Sequence, residues 1–477
     1  MTSELTWLST RELAHLLGTG RLSAVEALDD HLDRIAEVNP TLNAVVTLDP
    51  EGARARAAEA DRAYAAGERL PLLHGVPMTH KDTHHTAGMR TTLGSPIFAE
   101  QIPETDSLVI ARLRAAGVNT TGKTNVPEFA AGSHTFNPLF GTTVNPYDPT
   151  RSAAGSSGGV GAVIAAGVQA SGDGSDMGGS LRIPGSFNNV VGMRPSNGRI
   201  PHLAPQHPWA WLSQSGFMAR TVGDVALLMQ AGCGPDPRGP GSIAEPGAVF
   251  DLPEFRLGAD DDPDLTGVRV GFAPELGGRI AVDPAVLDIV GAAAPVLAEL
   301  GAQVDEACIG LDDADAVFDV QRAYDFALNW GDLVRARSSE IKETVVWNTE
   351  RGLALTADDL IAKDRARTRL HTAVRDFFGE HDVLVTTSSQ VLPFDAQIEY
   401  PTEIAGRPLE TYLDWMRAAT LISATGCPAI SVPAGFSAEG LPVGLQIVAA
   451  PGRDVELLRV AHAFETATGH HRRHPEI

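Results

Sequence analysis

The side chains best suited to chemistry in this sequence are serines and lysines set among glycines. One run, GVNTTGKT at 117–124, matches the phosphate-cradling P-loop pattern letter for letter. That loop needs a strand before its first glycine and a helix opening at its lysine. Residues 107–116 read instead as an amphipathic helix, with Leu108, Val109, Leu113 and Ala116 apolar and Gly117 as its C-terminal stop. Residues 118–121 then form the next strand, and Pro127 discourages a helix after Lys123. The nucleotide-binding reading lacks its context. A second run, GSSGG at 155–159, matches G-x-S-x-G with Ser157 central, the turn that presents a hydrolase nucleophile. It would need a later acid and histidine; His462 and the tail residues His470, His471 and His474 are available, but the tail reads as frayed and solvated. A plain Gly/Ser loop is the commoner object.

The same GSSGG run is followed by GSDMGGSLRIP at 174–184 and preceded by GVPMTHKD at 75–82. With these three segments the chain resembles the amidase signature family. Lys81, Ser156 and Ser180 stand 75 and 24 residues apart, the separations of the family's lysine, bridging serine and nucleophilic serine. Further matches are GKTN at 122–125, NPLFG at 137–141, NPY at 145–147, VGMRP at 191–195, GRI at 198–200, MART at 218–221, AISVPAG at 429–435 and LPVGLQ at 441–446. The likeness covers 70–230 and 420–465, whereas 235–415 matches only in texture.

The resemblance implies a catalytic triad of Ser180 as nucleophile, Ser156 as proton relay and Lys81 as base. The physics suits those residue types, because amide hydrolysis needs a nucleophile, a proton shuttle and donors aimed at the developing oxyanion. Lysine ordinarily titrates near 10.4 and serves as a base only when neutral, which burial favours. The family also implies a cis Gly155–Ser156 peptide. Backbone N–H groups of Met177, Gly178, Gly179 and Ser180 would face the oxyanion, with Asp176 and Arg182 fixing that loop rather than touching substrate. Ala130, Ala131, Gly132 and Ser133 fall where relatives line the acyl pocket, and their small size suggests a roomy one. The chain departs from the family at His80, with His84 and His85 close by, and at Phe187-Asn188-Asn189, where many members have Phe-Cys-Gly. Three histidines could suggest a metal, but no carboxylate or cysteine spacing supports one, so they read as core or surface residues.

The elements that must position these groups follow from periodicity and breakers. Ser9 with Glu12 and Ser23 with Glu26 are capping boxes that open helices. Val25, Leu28, Leu32, Ile35 and Val38 form a helical stripe that Pro40 follows, and residues 51–66 read as a third helix. From 71 to 230 short apolar runs alternate with helices and Gly/Ser turns, which suggests a mostly parallel sheet with helical crossovers. Residues 235–264 look like an acidic, Pro-rich surface excursion. Strands are expected at 268–273, 383–386, 429–432 and 445–448, and helices at 285–299, through 310–380 and at 455–468. The expected fold class is α/β, the amidase signature fold, with a mixed, largely parallel central sheet flanked by helices on both faces. One domain spans 1–477: N-terminal helices at 1–70, the signature core at 71–230 and a variable helical cap at 310–415.

Composition limits the partners. The net charge of −23 disfavours a protein that grips nucleic acid, since no basic run offsets it. No run approaches the roughly 18 apolar residues of a membrane span, and the N-terminus lacks a basic region leading into an apolar one. Cys233, Cys308 and Cys427 show no metal or redox spacing. The expectation is a cytoplasmic, cofactor-free and metal-free amidohydrolase, monomeric or homodimeric. It would act on a small or aryl amide, or an ester or carbamate, and Trp209, Trp211 and the cap aromatics suit an aryl group. The alternative of another class is a glutaminase/amidotransferase protein of the A type, working in tRNA-dependent transamidation, to which the Glu128-Phe129-Ala130 stretch is similar.

Overall fold

The computed structural model describes residues 5–203, 207–259 and 263–477. Both capping boxes form, opening Thr10–Gly18 (α1) and Ala24–Leu42 (α2). The stripe on α2 buries Leu28, Ile35 and Val38, and the helix carries Pro40 in its last turn before Asn43 stops it in the left-handed region at φ 50°. Pro50–Ala65 (α3) follows, with Asp49 as its cap.

Val45–Leu48 (β1), Pro77–Lys81 (β2) and Asn119–Thr124 (β3) make a small sheet in the order β1-β3-β2. β2 and β3 run parallel, joined by a crossover that contains Leu108–Ala115 (α4) and ends at Gly117 with φ +99°. The P-loop look-alike therefore ends inside a strand. Lys123 points inward, where its Nζ donates to the His84 carbonyl at 2.6 Å and to Thr86 Oγ1 at 2.8 Å.

The central sheet is built from Ser171–Asp176 (β4), Val191–Arg194 (β5), Gln214–Ala219 (β6), Arg269–Phe272 (β7), Gln303–Asp305 (β8), Val383–Thr387 (β9), Ala429–Phe436 (β10) and Pro442–Ala449 (β11). Its order is β8-β7-β9-β11-β10-β5-β6-β4. This is a mixed α/β sheet flanked by helices, but it is not largely parallel: β7 pairs in parallel with β8 and β9, and every other pairing is antiparallel. A tight turn before Pro442, with Gly440 at φ +82°, folds β10 and β11 into an antiparallel hairpin, and β9 and β5 pair with that hairpin from positions distant in sequence, so their direction is a property of the whole chain. Pairings that read from sequence as helical crossovers belong to the small sheet instead.

Gly158–Ala165 (α5), Arg182–Phe187 (α6) and Val222–Gly232 (α7) occupy the signature region, with α5 and α6 entirely buried. The helix expected over 285–299 is two, Pro284–Gly291 (α8) and Ala293–Glu299 (α9), because Pro295 has no N–H to continue the ladder. The cap comprises Ala314–Arg337 (α10), Glu343–Leu353 (α11) and Ala357–Glu380 (α12). Arg417–Thr425 (α13) and Asp454–Thr468 (α14) follow the cap. The tail is not frayed: Tyr147 donates its hydroxyl to the Arg473 carbonyl at 2.6 Å, Asn189 Nδ2 donates to the His470 carbonyl at 3.0 Å, and His474 stacks on Trp7. The excursion at 235–264 buries Phe250 and Phe255, and its residues 260–262 lie outside the described ones. Among the described residues, no helix is long and apolar enough to cross a membrane.

Candidate active site

Three elements converge on one buried amine. Lys81 ends β2, Ser156 and Ser157 lead into α5, and Ser175 lies near the end of β4. Lys81 is fully buried, and its Nζ donates to Ser156 Oγ at 2.8 Å, Ser157 Oγ at 2.9 Å and Ser175 Oγ at 2.9 Å. Burial pulls its pKa down to about 7, against the opposing charges of Asp176 and Asp173. The Gly155–Ser156 peptide is cis. Ser157 is bonded to Lys81 and the Ser175 carbonyl rather than to a histidine, so the nucleophile-elbow arrangement is not formed.

β4 ends at Asp176, and Met177 to Leu181 turn the chain into α6. The Asp176 carboxylate organises that turn, accepting from Gly179 N–H at 2.8 Å and Leu181 N–H at 3.1 Å. Arg182 grips the same carboxylate with Nε at 3.0 Å and Nη2 at 2.8 Å, both residues being fully buried. Burial alone would raise the Asp176 pKa, but Arg182 and Arg194 hold it well below the carboxylate range. Gly179 has φ +107°, and a Cβ there would fall 2.6 Å from Ala419 Cβ, so only glycine fits. The Gly179 N–H is thus taken by Asp176, and the expected donor set narrows to Met177, Gly178 and Ser180.

Ser180 lies in the same cleft as Ser156 and Ser175. The hydroxyl-to-hydroxyl bond expected between Ser156 and Ser180 is not among the hydrogen bonds of the described residues. Instead Ser157 N–H donates to the Ser180 carbonyl at 3.2 Å, which ties the two turns together. Ala130, Gly132 and Ser133 line the cleft, but Ala131 does not. Phe129 and Ala130 both have positive φ, which turns the chain so that Ala131 is buried against Phe326, Val334 and Val345. Trp209 is 72% exposed and Trp211 is covered by the Arg367 guanidinium; neither lines the cleft.

The apolar lining comes from Phe129 and from Phe326 and Trp330 on α10, which pack together, the Phe129 and Trp330 rings meeting edge to face at 4.7 Å. The sequence offers the cap aromatics for an aryl group without saying which of them reach a site, and Phe326 and Trp330 do line the cleft. A usable signal is present all the same, because Arg322, Phe326 and Trp330 recur at four-residue steps and share one helix face. Behind Lys81, Asp173 accepts from His80 Nδ1 at 2.5 Å and His84 Nδ1 at 2.6 Å, while the Lys81 N–H donates to it at 3.3 Å. His80 and His84 thus share a buried carboxylate, and His85 is exposed. No group of three potential metal-ligating side chains is found among the described residues.

A buried amine among hydroxyls, beside a glycine turn in a helix-flanked mixed sheet, is the arrangement that the resemblance to amidases implies. The chain belongs to the amidase signature family: the Amidase family matches it over residues 26–458. It is 37% identical over 473 residues to an acylamidase of Rhodococcus erythropolis, covering 97% of this chain and 95% of the relative. It is 36% identical over 501 residues to the A-type subunit of the glutamyl-tRNA(Gln) amidotransferase of Moorella thermoacetica, covering 99% of each. A crystal structure of a bacterial aryl acylamidase of the family superposes with a TM-score of 0.89 at 26% identity, over 98% of this chain and 97% of that one.

Proposed function

We propose that this protein hydrolyses the C–N bond of a small amide bearing an apolar or aryl group, through an acyl-enzyme on Ser180. The observation that carries the reading is Lys81, fully buried and held 2.8 Å from Ser156 in the cleft that also contains Ser180. As a neutral amine it has two hydrogens to give and one lone pair to accept the Ser156 proton. In the first step Ser180 Oγ attacks the carbonyl carbon, its proton passes to Ser156 Oγ, and the Ser156 proton passes to Lys81 Nζ. The Met177, Gly178 and Ser180 N–H groups face the oxyanion. Collapse expels the amine, which takes back a proton through Ser156, and water then cleaves the acyl-serine by the same relay. The relay requires the Ser180 hydroxyl to come within hydrogen-bond reach of Ser156 Oγ. Esters and carbamates present the same carbonyl and follow the same course.

The resemblance to the amidotransferase component of Moorella thermoacetica supports a second reading, a protein that releases ammonia for transamidation within a larger complex. The aromatic walls at Phe129, Phe326 and Trp330 favour the first. Rates on anilides, aliphatic amides, esters and aryl carbamates, beside glutamine, separate the two. Glutamine turnover that appears only with partner proteins would select the second.

The base also sets a pH dependence. With Lys81 lowered to about 7 and active when neutral, kcat/KM falls as pH drops below that value and levels above it. A profile of kcat/KM from pH 5 to 10 tests this; an acid limb near the ordinary lysine value, or none, would remove Lys81 as the base.

A further inference from the structure

Among the described residues that line the cleft of Ser180, a single one is charged: Arg322. It stands on α10, 5% exposed, on the same face as Phe326 and Trp330. Its guanidinium meets only uncharged groups. Nε donates to Asn348 Oδ1 at 3.2 Å, Nη2 to the Tyr412 hydroxyl at 2.9 Å and Nη1 to Met177 Sδ at 3.1 Å, while the rings of Phe326 and Tyr412 flank it at 4.6 and 5.9 Å. No carboxylate lies within ion-pair distance of it among the described residues.

That arrangement is unusual for a buried cation, which ordinarily takes a carboxylate or phosphate as partner. Asp319, one helical turn earlier on α10, interacts with the Arg322 charge only from beyond ion-pair distance. The weakest of the three partners is the one on the cleft side. A thioether is a poor acceptor, and Met177 lines the cleft in the turn that leads to Ser180. Methionine is also flexible enough to yield its place to a better acceptor. The remaining contacts, to Asn348 and Tyr412, hold the guanidinium plane with Nη1 toward the cleft.

Building on the amidohydrolase reading, we propose that Arg322 binds a carboxylate carried by the substrate, so that the preferred amides join an apolar or aryl body to a free acid and lack an ammonium group. The second half rests on the same lining: a cation meets the acid, and among the described residues no lining carboxylate meets an ammonium. An α-amino acid such as glutamine brings both charges and finds a partner for one. Carboxylate binding to a buried guanidinium is charge-assisted and directional, which gives Arg322 its part in substrate choice.

The test compares acids with methyl ketones of the same outline, using the purified full chain. One pair carries the group on the amine side, 4-acetamidobenzoate against 4-acetylacetanilide. The other carries it on the acyl side, succinanilate against levulinanilide. In at least one pair the acid should exceed its ketone in kcat/KM by about ten- to a hundredfold, the range for hydrogen bonds to charged groups. Arg322→Met should collapse that ratio toward one, and Arg322→Lys should keep part of it. N-acetylglutamine should release ammonia faster than glutamine. Equal rates within both pairs, or a preference that survives Arg322→Met, would overturn the assignment while amide turnover itself left the amidohydrolase reading standing. Faster release from glutamine would overturn the exclusion of the ammonium. Lack of turnover of any amide would remove the amidohydrolase reading and the Arg322 assignment with it. Should Arg322→Met not fold, Arg322→Gln gives the same readout, and the preference of the unaltered enzyme must still appear.

Discussion

Ser180→Ala lowers amide turnover by about four orders of magnitude or more, since members of a catalytic unit fail together rather than additively. Lys81→Ala and Ser156→Ala fall into the same range, and any two combined lose little more than one alone. The argument is chemical. Without the Ser180 hydroxyl no acyl-enzyme forms, and what remains is binding plus the oxyanion donors, worth a residual enhancement over water of roughly a thousandfold. Ser180 lines the cleft and, among the described residues, its hydroxyl makes no hydrogen bond that holds the fold, so its loss leaves unfolding by urea unchanged. Steady-state kcat with an anilide, beside the unfolding midpoint, checks both halves. A variant that keeps kcat within about tenfold of the parent would end the nucleophile assignment. A variant with a lowered midpoint would leave its activity loss open to a structural cause.

How much of this is legible in the sequence varies from residue to residue. Lys81, Ser156 and Ser180 can be picked out because the segments that carry them resemble the amidase signature family, and the structure places Ser156 and Ser180 in one cleft with the buried Lys81 amine bonded to Ser156. Helix starts are legible because a capping box is local, written within four residues. The sheet is not. Strand direction in β9, β10, β11 and β5 is set by which strands pair across the whole chain, and a short apolar run does not carry that information. The part of the cleft that α10 lines is hidden for the same reason. Periodicity on α10 marks an amphipathic helix, but that Arg322 meets Met177, 145 residues away, is a tertiary fact. Ala131 shows a further limit: in a run of small residues, which one faces the cleft depends on positive φ at Phe129 and Ala130, and neither residue type announces it. The His80–Asp173–His84 bridge joins residues more than 85 positions apart, and no local spacing could reveal it.

Arg182→Ala should cost about 3–5 kcal/mol of folding stability, because it leaves a buried carboxylate without its principal partner. Arg182 is fully enclosed, and beyond Asp176 it binds Gln446 Oε1 at 2.6 Å, Ser423 Oγ at 2.6 Å and the Ala419 carbonyl at 3.1 Å. One side chain on α6 therefore joins the Ser180 turn to β11 and α13. Losing it strands Asp176 with Arg194 and two backbone N–H groups, and it frees three further buried acceptors at once. The carboxylate is the more expensive loss, since an unpaired buried charge costs more than an unpaired neutral acceptor. That difference gives the test its discriminating arm. Pairing Arg182→Met with Asp176→Asn removes both charges together, so the double variant should lose clearly less than the sum of the two single losses, each measured by urea unfolding with unchanged slope. Additive losses would mean that the two residues stabilise the turn independently. A loss below about 1 kcal/mol for Arg182→Ala would mean that Arg194 alone suffices to hold Asp176, since losses of that size are common for single substitutions. In the expected case activity falls along with stability, because the N–H groups facing the oxyanion hang on the turn that Asp176 and Arg182 shape.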